Sequence, residues 1–172
     1  MDTEIIDLSL RWAHFAAGIV WVGHNYANVA QRPQWQPVTR SELVDPSNPS
    51  FMGRLNREHG LFRWAAVVTW LAGLLILWRR GWLEQALSLD APFAAIGLGT
   101  WIGTLMMLNV WFVLWPHQKK VLGFVPASVE ERMRCARVTF LSSRTNTMLS
   151  IPLLLMMAST HHGGLVAGTA TG

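Results

Sequence analysis

Six histidines are the residues of this chain best suited to chemistry, because most of them fall inside or at the rims of long apolar segments. An ionisable side chain in a bilayer is costly, usually faces the bundle interior and is a functional candidate by default. His14 lies in the first apolar segment, and Ala17, Gly18 and Trp21 follow it on the same helical face. Such small neighbours leave room for a flat, wide group such as a haem macrocycle, or for a close partner helix. His24 is turned roughly 80° around that helix and lies ~15 Å deeper, so it cannot share a ligand plane with His14. His59 and His117 belong to the level of His24, whereas His161 and His162 close the last apolar segment nearer the level of His14. Imidazoles from facing helices ligate b-type haem axially. His14 with His161 is therefore the first candidate metal-ligating pair, for one haem rather than two, with His24 and His117 as further candidates. The alternative for each histidine is a neutral ring hydrogen-bonded across helices.

Other polar groups at membrane depth are further candidates to serve such a cofactor site. Asn109 and Thr104 stand in the third apolar segment and Arg144 in the fourth. Arg144 could pair with a haem propionate or an anionic substrate, or its long side chain could snorkel to the headgroups. Met106, Met107, Met156 and Met157 are conceivable thioether ligands, but helix packing is the expected role. Pro152 frees a carbonyl one turn earlier and is expected to kink its helix. Gly99 and Gly103 form a GxxxG spacing, a weak signal for close helix approach. One cysteine, Cys135, excludes an intramolecular disulfide and a Cys-based metal site. There is no Gly-rich phosphate loop, no paired membrane carboxylate and no spacing that nominates a Ser–His–Asp arrangement. Every acidic residue lies in a loop or terminus, which disfavours a proton-coupled transporter.

The elements that must position these groups are helices in lipid. Hydrophobic residues make up 51% of the chain and charged residues 14%, and the mean hydropathy is positive. That composition predicts an all-α integral membrane bundle. Stretches of ~20 apolar residues place four transmembrane helices at about 5–30, 62–78, 92–115 and 138–160, within a domain spanning 1–162. The fourth is the least apolar, since Ser142, Ser143, Arg144, Thr145, Asn146 and Thr147 dilute its first half. The first has no cleavage-site pattern and reads as a retained helix. Pro33, Pro37, Pro46 and Pro49 mark the connection 31–61 as irregular chain, and the small residues of 163–172 predict a disordered tail.

Trp12, Trp64, Trp78, Trp82, Trp111 and Trp115 fall near the predicted helix ends, as suits the headgroup zone, while Trp21, Trp70 and Trp101 fall deeper. Lys and Arg concentrate in the first and third connections, which puts both termini on the non-cytoplasmic side of a membrane, expected to be a bacterial inner membrane. The same rule accounts for the formal charge of +4 without a nucleic acid partner.

Four blocks carry a family resemblance: RWAHFAAGIVWVGHNY from Arg11, FRWAAVVTWLAGLLIL from Phe62, GTLMMLNVWFVLWPHQKKV from Gly103 and TNTMLSIPLLLMMASTHH from Thr145. Together they resemble the N-terminal membrane domain of membrane-bound urate oxidases, the urate hydroxylases that carry a C-terminal cytochrome c. The third block is the most specific, with Gly103, Thr104, Met106, Asn109, Val110, Phe112, Pro116, Gln118 and Lys120 in the family pattern. His14 matches in the first block and His161 in the fourth. The chain departs from the pattern at Gly97 and Thr145, where histidines are expected, and at Ala65, where a glutamate is expected. No CxxCH haem-attachment motif occurs.

The resemblance implies a four-helix membrane module that keeps a redox or cofactor role. A haem-binding electron-transfer protein, working with a separate cytochrome c or a quinone, is the first expectation. A cofactor-free accessory subunit, packed against other membrane subunits or against itself, is the alternative. Urate oxidation by the chain alone is the least favoured of the three.

Overall fold

The computed structural model describes residues 2–31, 39–44 and 49–159, and every element in them is helical. Helix α1 (Asp2–Gln31) is followed by the short α2 (Arg40–Val44), then α3 (Pro49–Arg79) and α4 (Leu83–Ser88). Helix α5 (Ala94–Leu108) passes without a break into a π-helical segment, Asn109–Leu114, and on into α6 (Trp115–Val121). Helix α7 (Val129–Ser159) completes the described chain.

Three helical stretches, Thr3–Ala30, Gly60–Arg79 and Ala94–Val121, are long and apolar enough to cross a membrane. The fourth span expected from the sequence is present as a helix of 31 residues but is not among them. Its polar residues are the reason, and several point inward: Ser142, Arg144, Asn146 and Ser150 are buried. The outward faces of the bundle carry the opposite chemistry. Trp12, Phe15, Leu61, Trp78, Phe112 and Ile151 are all exposed, an apolar surface of the extent that lipid or another protein must cover.

Where the boundaries differ from the sequence reading, local chemistry accounts for it. Helix α3 begins at Pro49, not at 62, so part of the connection read as irregular is helical. Proline suits a first helical turn, where its missing N–H would have no partner anyway. Helix α7 begins at Val129, nine residues earlier than expected. Ser128 caps it: the Glu131 N–H donates to Ser128 Oγ at 3.2 Å and the Arg132 N–H to the Ser128 carbonyl at 2.9 Å, in the S-x-x-E arrangement of a capping box. Pro116 does not end the third span. It cannot donate to the carbonyl four residues back, and the preceding turn widens to π geometry, so the helix continues to Val121.

The main core lies where α1, α3, the end of α5 with its π segment, and α7 meet, around Trp21, Phe62, Ala66, Met106, Val110 and Leu153. A smaller cluster joins Leu43 of α2 to Val121, Cys135 and Ala136. The GxxxG pair packs as the spacing suggests: Gly103 faces Leu153, and a Cβ on Gly99 would come within 2.8 Å of Met157 Cε.

The bundle has two polar rims of different charge. At one, Arg80 and Arg11 share Asp7, at 3.2 and 2.7 Å. At the other, Arg40 pairs with Glu130, Lys120 with Glu131, and the Arg132 guanidinium donates to the Val121 carbonyl. Arg134 and Arg137 lie on the first turns of α7 at the same end. Lys120 beside Glu131 holds that carboxyl below its usual range.

A polar seam and an anchored histidine

His14 is fixed by α3. Its Nδ1 lies 2.7 Å from the Thr69 carbonyl oxygen. A carbonyl only accepts, so Nδ1 carries the proton and the lone pair of the neutral ring sits on Nε2. This is the arrangement that orients a metal-ligating imidazole from behind. Thr69 is itself held by its hydroxyl, which donates to the Ala65 carbonyl at 2.8 Å. Next along α3, Trp70 Nε1 donates to Thr104 Oγ1 at 2.8 Å, tying α3 to α5. The ring of His14 lies against Gly73, where a Cβ would come 2.9 Å from Cε1 and 3.0 Å from Nδ1. Gly73→Ala is therefore expected to push the imidazole off Thr69 and to cost about 1–3 kcal/mol, the usual range for overpacking. The check is unfolding of the variant in detergent beside Gly18→Ala, whose added Cβ would meet only Thr69 Cγ2 at an ordinary 3.7 Å.

The other sequence candidates are dispersed. His24 stands against Phe62, ring centroids 4.5 Å apart, and Asn28 Nδ2 donates to its Nε2 at 2.9 Å. His117 lies on α6 and donates from Nδ1 to the Val113 carbonyl at 2.7 Å. His161, the proposed partner of His14, lies outside the described residues, as do His162 and the tail. Among the described residues no three His, Cys, Asp or Glu side chains gather as a metal site would require.

Asn109 is a clasp between helices. Its Nδ2 donates to Asn146 Oδ1 at 2.8 Å and to the Ser142 carbonyl at 3.0 Å, while its Oδ1 accepts from Ser142 Oγ at 2.9 Å. Asn146, fully buried, donates onward to the Met106 carbonyl at 3.1 Å. These bonds join the start of the π segment to the middle of α7. Arg144 does not snorkel: the residue is 4% exposed, and its guanidinium stands 5.0 Å over the Phe140 ring.

One polar residue escaped the sequence reading. Asn25 is fully buried, and among the described residues neither its Nδ2 nor its Oδ1 has a hydrogen-bond partner. Its carbonyl accepts from Thr147 Oγ1 of α7 at 3.5 Å, and the next residue, Tyr26, receives Ser150 Oγ at 3.3 Å. The available signal was an amide in the middle of an apolar helix, a group that hydrocarbon does not tolerate unless it faces inward.

Two of the three departures from the family pattern are filled by packing. Ala65 belongs to the main core. Gly97 lies directly on α4, with no space for a side chain. The third, Thr145, points outward.

Long apolar helices joined by an internal polar seam and an anchored histidine define an all-helical protein with candidate membrane spans. A family model described as urate oxidase N-terminal matches residues 80–171, more than half of the chain, from α4 through α7. The chain belongs to the urate oxidase N-terminal family. His14 and α3 precede the matched stretch, whereas Asn109, His117, Arg144 and Asn146 lie inside it. No curated protein and no solved structure matches the chain.

Proposed function

We propose that this chain is a membrane-embedded redox module in which His14 and His161 ligate a b-type haem, and that it exchanges electrons with a cytochrome c or a quinone. The single observation that carries the reading is the 2.7 Å hydrogen bond from His14 Nδ1 to the Thr69 carbonyl. It leaves Nε2 as the ligand atom and holds the ring against rotation. A haem bound there would supply one-electron exchange at a potential set by its ligands and surroundings. The residues of the chain do the positioning: Thr69 and Gly73 hold the imidazole, and Arg144 offers a buried positive charge to an anionic group. The family description points to urate chemistry for its members, and this chain's part in such chemistry would be electron transfer in the membrane.

The rim bearing Arg40, Lys119, Lys120, Arg132, Arg134 and Arg137 would face the cytoplasm by the positive-inside rule. The N-terminus would then lie on the non-cytoplasmic side of the membrane, in this reading a bacterial inner membrane.

Absorption spectra of the detergent-purified protein, oxidised and then dithionite-reduced, test the proposal. The expected result is a Soret band with sharp reduced α and β bands, lost at least tenfold in His14→Ala while the protein stays in the membrane. Full haem occupancy in that variant would overturn the assignment.

A second reading, a cofactor-free subunit of a larger membrane assembly, is favoured by α1. Ile5, Trp12, Phe15 and Ile19 leave much of that helix uncovered, a face another helix could occupy. A protein still colourless after expression with added haem precursor would select it.

A further inference from the structure

Trp21 and Asn25 stand one turn apart on the inward face of α1, and both are sealed from outside, at 2% and 0% exposure. Among the described residues, the Trp21 indole N–H and both polar atoms of the Asn25 amide have no hydrogen-bond partner. Together they offer N–H donors and a carbonyl oxygen to the interior. Such groups are costly when left unmet, and native interiors meet nearly all of them with protein or with ordered water.

We infer that ordered water is bound here, held between α1 and α7 by Asn25 and Trp21. Three observations converge on water. The first is depth. The candidate span of α1 is Thr3–Ala30, so Asn25 lies only ~7.5 Å along the helix from its end, within reach of the hydrated headgroup zone. The second is the length of the direct polar contacts between the two helices. Thr147 Oγ1 reaches the Asn25 carbonyl at 3.5 Å, and Ser150 Oγ reaches the Tyr26 hydroxyl at 3.3 Å. Both exceed the usual range for an O–H···O bond. Each hydroxyl has one hydrogen, and the shorter bonds run within α7, from Thr147 to the Ser143 carbonyl at 3.1 Å and from Ser150 to the Thr147 carbonyl at 2.7 Å. The Asn25 main-chain carbonyl is thus short of a donor on the same side of α1 as the amide, a gap that a bridging water closes. The third is chemistry. The site calls for one group that accepts from N–H and donates to a carbonyl oxygen, which water does and an acyl chain cannot. Water held there ties α1, which packs chiefly on α3, to the polar side of α7. No histidine takes part, so the site stands whether or not a haem binds at His14.

Pulsed X-ray radiolysis of the full chain in phosphatidylcholine nanodiscs is the test, because it makes hydroxyl radicals from water where the water lies. A buried side chain is then oxidised only if water is beside it. Met106 is the control: it is fully buried in the same core cluster as Trp21, and a thioether is readily oxidised. The expected result is oxidation of Trp21 at least fivefold faster than of Met106. Asn25→Leu, whose apolar side chain expels the water, should slow Trp21 oxidation at least fivefold. Asn25→Ser, which keeps a hydroxyl and leaves space, should hold it within twofold of wild type. Trp21 oxidised no faster than Met106 in the wild type would overturn the site, and that comparison requires no variant to fold. Trp21 oxidation unchanged in Asn25→Leu would overturn it as well, since the radicals would then come from elsewhere.

Discussion

Gly97→Ala is expected to damage this fold more than any other single added methyl group. A Cβ at residue 97 would lie 1.9 Å from the Ala86 carbonyl oxygen and 2.8 Å from its carbonyl carbon, with Leu89 Cδ2 at 2.9 Å. The first two atoms are backbone and cannot rotate away, so α4 must move as a unit. Helix α4 is short and held closely: the Leu87 carbonyl accepts from Trp101 Nε1 at 3.1 Å, Ala86 is fully buried, and Leu89 ends the helix at φ 63°. Overpacking of a dense core costs 1–3 kcal/mol and occasionally more. A backbone clash of this depth belongs at the upper end, at least about 3 kcal/mol. The measurement is resistance to denaturant in detergent, with Gly23→Ala as the control. That control enters open space and removes a mid-helix glycine, so it is expected to be neutral or to gain up to about 1 kcal/mol. Equal stability of the two variants would show that α4 is not seated on α5 as described.

The same residue shows what was legible in the sequence and what was not. The second apolar run, expected at 62–78, lies within the candidate span Gly60–Arg79, because a charge-free stretch of that length has few alternatives. The GxxxG spacing signalled a close helix approach, and the structure makes α7 the partner. Gly97, two residues before that motif, read only as a missing histidine. That α4 would fold back onto it depends on tertiary structure that no apolar period encodes. The third apolar run, expected to end at 115, continues past Pro116 to Val121, although a proline interrupts an α-helical ladder; the widened turn at Asn109–Leu114 that lets the helix continue leaves no mark in hydropathy. Arg144 was ambiguous because a long cationic side chain can either snorkel or bury, and only the position of Phe140 and the neighbouring helices decides. Of the candidate ligands, His14 emerged with a defined orientation. His24 and His117 are each bonded within or beside their own helices, and helix rotation, which fixes that outcome, is not read from so uniform an apolar pattern.

The clasp of Asn109, Ser142 and Asn146 is expected to be the largest polar contribution to helix association. Asn109 makes three bonds to α7, and interhelical hydrogen bonds in membranes average ~0.6 kcal/mol each. The bonds alone are thus worth about 2 kcal/mol. Asn109→Leu should cost more, about 3 kcal/mol, because it also strands the Asn146 carbonyl oxygen and the Ser142 hydroxyl in a buried setting. Asn146→Leu should be comparable, since that residue is fully buried and its Nδ2 serves the Met106 carbonyl at the approach to the widened turn. The double variant is the informative one. With both amides replaced by a side chain of similar size, no amide is left stranded, and the combined loss should fall short of the sum of the singles by about 1–2 kcal/mol. Residues far apart add to within about 0.5 kcal/mol, so additivity here would mean that the two amides do not act as a pair. A coupled loss would place the join between the π segment and α7 at this seam, in the stretch that carries the family match, so that its polar residues hold the bundle together before they serve any ligand.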